Sequence, residues 1–236
     1  MLKGVIGRVI NMIHSVCIFG DSVAKGVVFD AVKNKYSLLK ESFANIVERQ
    51  QNISILNFAR FGCTISMGSE ILKRHAGELD RFDYTVLEFG GNDCDYNWAM
   101  IAEDPGRPHQ CNTPIALFRD KYRELIDQVR QNGGSPVLMN LPPIDSNRYF
   151  RWVSRGLNGK NILAFLGGVD AIYRWQEMYS RAVEELADET KVPLIDIRSG
   201  FLHKKNFSLY LCEDGIHPND QGHLLISKAI REKAFF

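Results

Sequence analysis

No apolar run in this chain is long enough to cross a membrane. Its start, MLKGVIGRVINMIHS, holds basic residues but only short apolar stretches and no cleavage-site pattern, so neither membrane insertion nor a signal peptide is expected. Neither charge sign predominates: 29 Lys and Arg face 28 Asp and Glu, a net charge of +1. That balance gives nucleic acid or an anionic membrane surface no electrostatic foothold. Cysteine is sparse and scattered. Cys17, Cys63, Cys94, Cys111 and Cys212 form no C-x-x-C pair, and their odd number favours free thiols in a reducing, cytoplasmic setting over a disulfide framework. Repeats, linkers and low-complexity segments are also missing. What is present is an ordinary globular composition, 45% apolar and 24% charged over 236 residues. Such a chain can bury a substantial core. Residues 1–13 read as an N-terminal extension and 14–236 as a single domain.

Short apolar runs alternate with longer helical patterns. The runs at 15–19, 53–58, 84–89, 136–141 and 193–197 read as strands buried on both faces. Between and after them, 36–50, 66–79, 114–134, 170–190 and 219–235 carry apolar residues at three- and four-residue spacing, as helices packed on a sheet do. The third of these ends in Gly133-Gly134, a helix stop. This alternation predicts an α/β domain around a parallel sheet of about five strands. Two segments break it, 94–113 and 144–168, and are expected as insertions. Segments of this kind serve either as lids over a site or as decorated surface loops.

Ligands of parallel α/β sheets gather where strands end. Four polar clusters stand at or beyond such ends: Gly20-Asp21-Ser22, the stretch from Asn57 to Gly62, Gly90-Gly91-Asn92-Asp93, and Asp214-Gly215-Ile216-His217. Together they suggest acyl transfer. A serine hydroxyl needs an imidazole to take its proton, and the imidazole needs a carboxylate to hold its tautomer and steady its charge. Ser22, His217 and Asp214 supply these parts, and the three-residue spacing of Asp214 and His217 lets both side chains share one side of a turn. The tetrahedral intermediate requires donors for its oxyanion. The Ser22 N–H at a helix start, the Gly62 N–H and the Asn92 amide are candidates, each worth about 3–4 kcal/mol of transition-state stabilisation. Each piece alone has a plainer reading: Ser22 as a helix cap, Gly62 as a turn, His217 as a surface histidine.

In order and residue type the four clusters resemble the blocks of the SGNH/GDSL hydrolases. The resemblance spans Gly20 to His217, with Val23 where the family name has leucine. It implies a three-layer α/β/α sandwich with a flavodoxin-like, doubly wound sheet. It also implies a metal-independent serine esterase or lipase-type activity without a cofactor, and the oxyanion trio Ser22, Gly62 and Asn92. Asp21 and Asp93 are expected to support the serine turn and the Asn92 loop rather than to join the chemistry.

Other candidates carry less. Cys63 and Cys94 flank the proposed site without a better base than Ser22 has, and read as packing residues. His14, His75, His109, His203 and His223 stand at no metal-ligand spacing. Tyr149, Phe150 and Trp152 with Arg148, Arg151 and Arg155 read either as a loop packing its own aromatics or as a ligand face. Tyr96 and Trp98 are expected to line the substrate pocket. The expected partner is a small acyl ester, of a sugar or a lipid, cleaved through an acyl-Ser22 intermediate. Two alternatives remain: a non-catalytic flavodoxin-like module cradling phosphate or flavin at Gly20 to Lys25, and an O-acyltransferase using the same triad.

Overall fold

The structure, a computed structural model, describes residues 13–233. The N-terminal extension therefore lies, Ile13 apart, outside the described residues. In chain order the strands are β1 (Ser15–Gly20), β2 (Val27–Asp30), β3 (Lys35–Leu38), β4 (Ser54–Asn57), β5 (Tyr84–Glu88), β6 (Pro136–Met139) and β7 (Leu194–Ile195). Five of them form a parallel sheet ordered β4-β1-β5-β6-β7. All five expected strands are there.

Helices cover both faces, giving the three-layer α/β/α sandwich. Strand β1 shows how: Cys17 and Phe19 point into one apolar cluster, Val16 and Ile18 into the other. The first cluster is closed by α3 (Ile65–Arg74), α5 (Ile115–Gln131) and α8 (Asp170–Thr190), the second by α2 (Phe43–Gln51) and α10 (Asp220–Arg231). A central strand thus reads as a continuous apolar run because both its faces are covered. Edge strand β4 departs from that expectation: Leu56 remains exposed.

The sequence reading differs most between residues 27 and 50. Val27–Asp30 and Lys35–Leu38 pair antiparallel as a hairpin, and α2 begins only at Phe43, capped by Ser42. The helical spacing over 36–50 was partly coincidental, because Tyr36 and Leu38 belong to a strand whose partner lies upstream. Between β2 and β3 the chain turns through Asn34 at φ 47°.

The two insertions are ordered. Segment 94–113 contains α4 (Trp98–Glu103), and 144–168 contains α6 (Ser146–Val153) and α7 (Gly159–Leu166). Trp98, Ile101, Tyr149, Ile162, Leu166 and Ile172 join in a third apolar cluster beside the carboxyl ends of the strands. Each insertion thereby buries its apolar side on the other. No helix among the described residues is long and apolar enough to cross a membrane.

Candidate active site

The chain leaves β1 at Gly20 and enters a one-turn helix, α1 (Ser22–Lys25). Asp21, not Ser22, caps it: Asp21 Oδ1 accepts from the Val23 N–H at 2.8 Å. Ser22 is therefore the first helical residue, and its hydroxyl is free to face away from the turn. The turn closes at Gly26 in the left-handed region, φ 80°.

His217 arrives on a loop after α9 (Arg198–Leu202) and before α10. Asp214 Oδ1 accepts from the backbone N–H of Ile216 and His217 at 3.1 and 3.2 Å, folding the loop on itself. Its Oδ2 lies 2.6 Å from His217 Nδ1, and His217 Nε2 lies 2.9 Å from Ser22 Oγ. All three side chains are buried, Asp214 completely. The loop is held from outside by Arg148, which donates to the carbonyls of Ser208 and Leu211 at 2.7 and 3.2 Å. Arg148 is thus occupied as a buttress and not offered to a ligand.

The oxyanion candidates converge on the same point, where Ser22, Gly62 and Asn92 line one groove with His217. Gly62 has φ 71°, and a Cβ there would meet nothing within 4 Å. Backbone conformation rather than a crowded neighbour therefore demands the glycine. Asn92 donates from Nδ2 to Asp21 Oδ2 at 3.1 Å and to the Cys63 carbonyl at a longer 3.4 Å.

Asp93 sits on the other side of that loop. Its two oxygens accept from the Ile65 N–H at 3.1 and 3.2 Å, capping α3 where Thr64 does not. Burial pushes its carboxyl up to about 6. Cys63 is packed away beside the site, its thiol pushed up to about 12 by burial and by the Asp21 and Asp93 carboxylates. Cys94 is likewise raised well above the ordinary range by burial. Neither is a ready thiolate.

Sequence reasoning passed over several neighbours. Glu88, wholly buried at the end of β5, places Oε2 3.3 Å from the N–H of Asp21 and of Ala24, and its Oε1 has no donor. Burial, then the adjacent Asp21 carboxyl, raises its pKa well above the usual carboxylate range. Two carboxyls under one helix start make a poor seat for phosphate. Tyr36 from the unforeseen hairpin packs edge-on to the His217 ring at 5.2 Å, and Phe61 stacks parallel to it at 6.1 Å. Asp95 receives hydrogen bonds from the Trp98 indole at 2.8 Å and the Tyr149 hydroxyl at 2.7 Å. Tyr149 and Trp152, read from sequence mainly as loop packing, line the site directly, as do Tyr96 and Trp98. Only the position of Asp95, two residues beyond the third cluster, could have signalled it.

Two spaces open from Ser22 and His217. A narrower one of about 80 Å³ runs under Leu141, Pro142 and Ile172 toward Trp175. An open groove of about 320 Å³ runs past Tyr36, Phe61 and Trp152.

Residues 18–225 match the model of the GDSL-like lipase/acylhydrolase family, and the chain belongs to that family of carboxylic ester hydrolases. Solved structures share its fold. A lipase/acylhydrolase from Enterococcus faecalis is 18% identical, with 92% of this chain and 93% of that one covered, at a TM-score of 0.65. A member of the lipolytic G-D-S-L family from Veillonella parvula is 16% identical over 93% and 97%, at 0.64. An acetylxylan esterase from Geobacillus stearothermophilus is 17% identical over 92% of each chain, at 0.60. No curated protein sequence matches the chain.

Proposed function

We propose that the protein, working as one domain over residues 14–236, is a serine esterase that cleaves short-chain carboxylic esters through an acyl-Ser22 intermediate. The observation that carries this reading is the unbroken series Ser22 Oγ, His217 Nε2, His217 Nδ1 and Asp214 Oδ2, linked at 2.9 and 2.6 Å. Ser22 Oγ attacks the ester carbonyl as its proton passes to His217 Nε2, and Asp214 stabilises the imidazolium. The carbonyl oxygen becomes an oxyanion held by the N–H of Ser22, the N–H of Gly62 and the Asn92 amide. The intermediate collapses, the alkoxide leaves with the proton from Nε2, and Ser22 stays acylated. Water, deprotonated by His217, then repeats the sequence to release the acid and free Ser22.

The sizes of the two spaces support a substrate shape. About 80 Å³ corresponds to two or three water molecules and suits an acetyl- to butyryl-sized acyl group. The leaving alcohol needs a path to solvent beside the proton on His217, which the open groove supplies. That openness also favours water over a bound sugar as acyl acceptor. The five cysteines, all unpaired among the described residues, support a reducing compartment.

Turnover of p-nitrophenyl acetate and its longer homologues tests the reading. Wild-type protein should act best on short chains, whereas Ser22→Ala and His217→Ala should lose nearly all activity, and Ser22→Ala should also lose fluorophosphonate labelling. Activity surviving in both variants would mean that other residues carry the reaction.

A further inference from the structure

The groove on the leaving-group side is walled by five aromatic side chains, Tyr36, Phe61, Trp98, Tyr149 and Trp152, and by one carboxylate, Asp95. No Lys or Arg lines it, and none lines the narrower space on the far side of Ser22. The Arg155 guanidinium stacks on Trp152 at 4.0 Å without being part of the lining. The aromatic walls form two packed sets: Tyr36 packs against Phe61 at 5.0 Å and Trp152 at 6.1 Å, and Trp98 against Tyr149 at 6.2 Å.

Asp95 is the unusual member. Both side-chain donors that reach it, Trp98 and Tyr149, converge on Oδ1. Its second oxygen receives no side-chain hydrogen bond. The Tyr96 N–H also supports the carboxylate, but a carboxylate placed among aromatic rings still costs desolvation that an apolar residue would avoid. The same placement is favourable once a cation enters, because ring faces and carboxylate attract positive charge together. A sugar ring fits less well. It requires several donors and acceptors, whereas Ser22, Asn92 and His217 are committed to the chemistry described above and, of the other lining residues, Tyr36 and Trp152 carry one polar group each.

Resting on the esterase reading, we infer that this groove is an ammonium subsite, so that the preferred substrate is a short-chain ester whose alcohol half carries a quaternary or protonated amine. The aromatic rings surround the cation, and Asp95 Oδ2 supplies the countercharge. The acyl group enters the narrower space, with the scissile carbonyl between Ser22 and Asn92.

The test compares acetylcholine with 3,3-dimethylbutyl acetate, its neutral isostere. Wild-type kcat/KM should favour the choline ester by about tenfold, the scale of a cation–π contact and a carboxylate acting together. In Asp95→Asn the amide oxygen can still accept from Trp98 and Tyr149, but the ratio between the two esters should fall to near one, whatever the absolute rates become. Equal loss on both esters would assign Asp95 a structural role and overturn the inference. So would wild-type indifference to charge, or preference for an acetylated sugar over both. Binding gives a readout independent of turnover: Ser22→Ala protein should bind tetramethylammonium, detected by tryptophan fluorescence, and not tert-butanol, and Ser22→Ala with Asp95→Asn should lose that difference. If tetramethylammonium binds but no ester is cleaved, the esterase reading fails and the subsite stands. If esters are cleaved but tetramethylammonium and tert-butanol bind alike, the reverse holds.

Discussion

Asn92 donates its side-chain amide to Asp21 across 71 positions of sequence, at 3.1 Å. One bond joins the turn that carries Ser22 to the loop that carries Asn92, the proposed oxyanion donor. Asp21 cannot move without moving Asn92, since the same carboxylate caps α1 through Val23. Asp21→Ala should therefore lower kcat by at least about tenfold with little change in KM, and Asn92→Ala by about 10²–10³-fold, the usual scale for one oxyanion donor. Steady-state kinetics on one ester series check both. A rise in KM at constant kcat would assign the pair to substrate binding instead.

Replacing Asp214 by asparagine keeps the size of the side chain but offers His217 Nδ1 a neutral partner. The imidazole then loses both its countercharge and its enforced tautomer. Activity should fall by about 10²–10⁴-fold, less than for loss of Ser22 or His217. Circular dichroism should stay unchanged, separating a chemical loss from a folding one.

Gly215 carries the turn between Asp214 and His217 at φ 80°. A Cβ there would come within 2.7 Å of the Asp145 carbonyl and of Arg148 Cβ. Conformation and contact both oppose any side chain, because the loop docks on the start of α6 through the bond from Asp145 N–H to the Gly215 carbonyl. Gly215→Ala should cost about 2 kcal/mol or more in urea denaturation and should also slow Ser22 labelling. Full stability with normal labelling would show that the loop does not depend on this contact.

His223 lies fully buried in α10, accepting at Nδ1 from the Phe43 N–H at 3.3 Å. Burial lowers its imidazole from the ordinary 6.5 to about 4. Between those values the unfolded chain binds a proton that the folded protein refuses. The contribution is therefore present above pH 6.5 and lost as pH falls toward 4, amounting to about 3 kcal/mol in full. Buried Asp21, Glu88 and Asp93, whose carboxyls are raised mainly by burial, act in the opposite sense. The informative quantity is thus the difference between wild type and His223→Gln. On going from pH 7 to 4.5, unfolding free energy should fall less in the variant.

Much of this was legible in the chain. Central strands β1, β5 and β6 each carry a run of apolar residues because both faces are covered, and such runs are plain in a sequence. Asp214 and His217 could be paired from their spacing, since three residues in a turn leave little freedom. Residues 36–50 were misread because strand pairing with Val27–Asp30 outweighed local helical spacing, and the pairing of so short a run depends on its partner.

The sequence by itself determined the layered fold and the chemical parts: a hydroxyl after β1, an imidazole and carboxylate before α10, an amide and glycine between them. Only the tertiary structure decided what surrounds those parts. Tyr36 and Phe61 reach His217, and Asp95 meets Tyr149, through contacts between elements far apart in the chain. Local periodicity cannot encode such contacts: the first depend on how the hairpin and the loop after β4 pack around His217, the last on how insertions 94–113 and 144–168 bury their apolar sides against each other. Asp21 shows both levels at once. Its place beside Ser22 is a matter of sequence, but its hold on Asn92 exists only where β1 and β5 lie side by side.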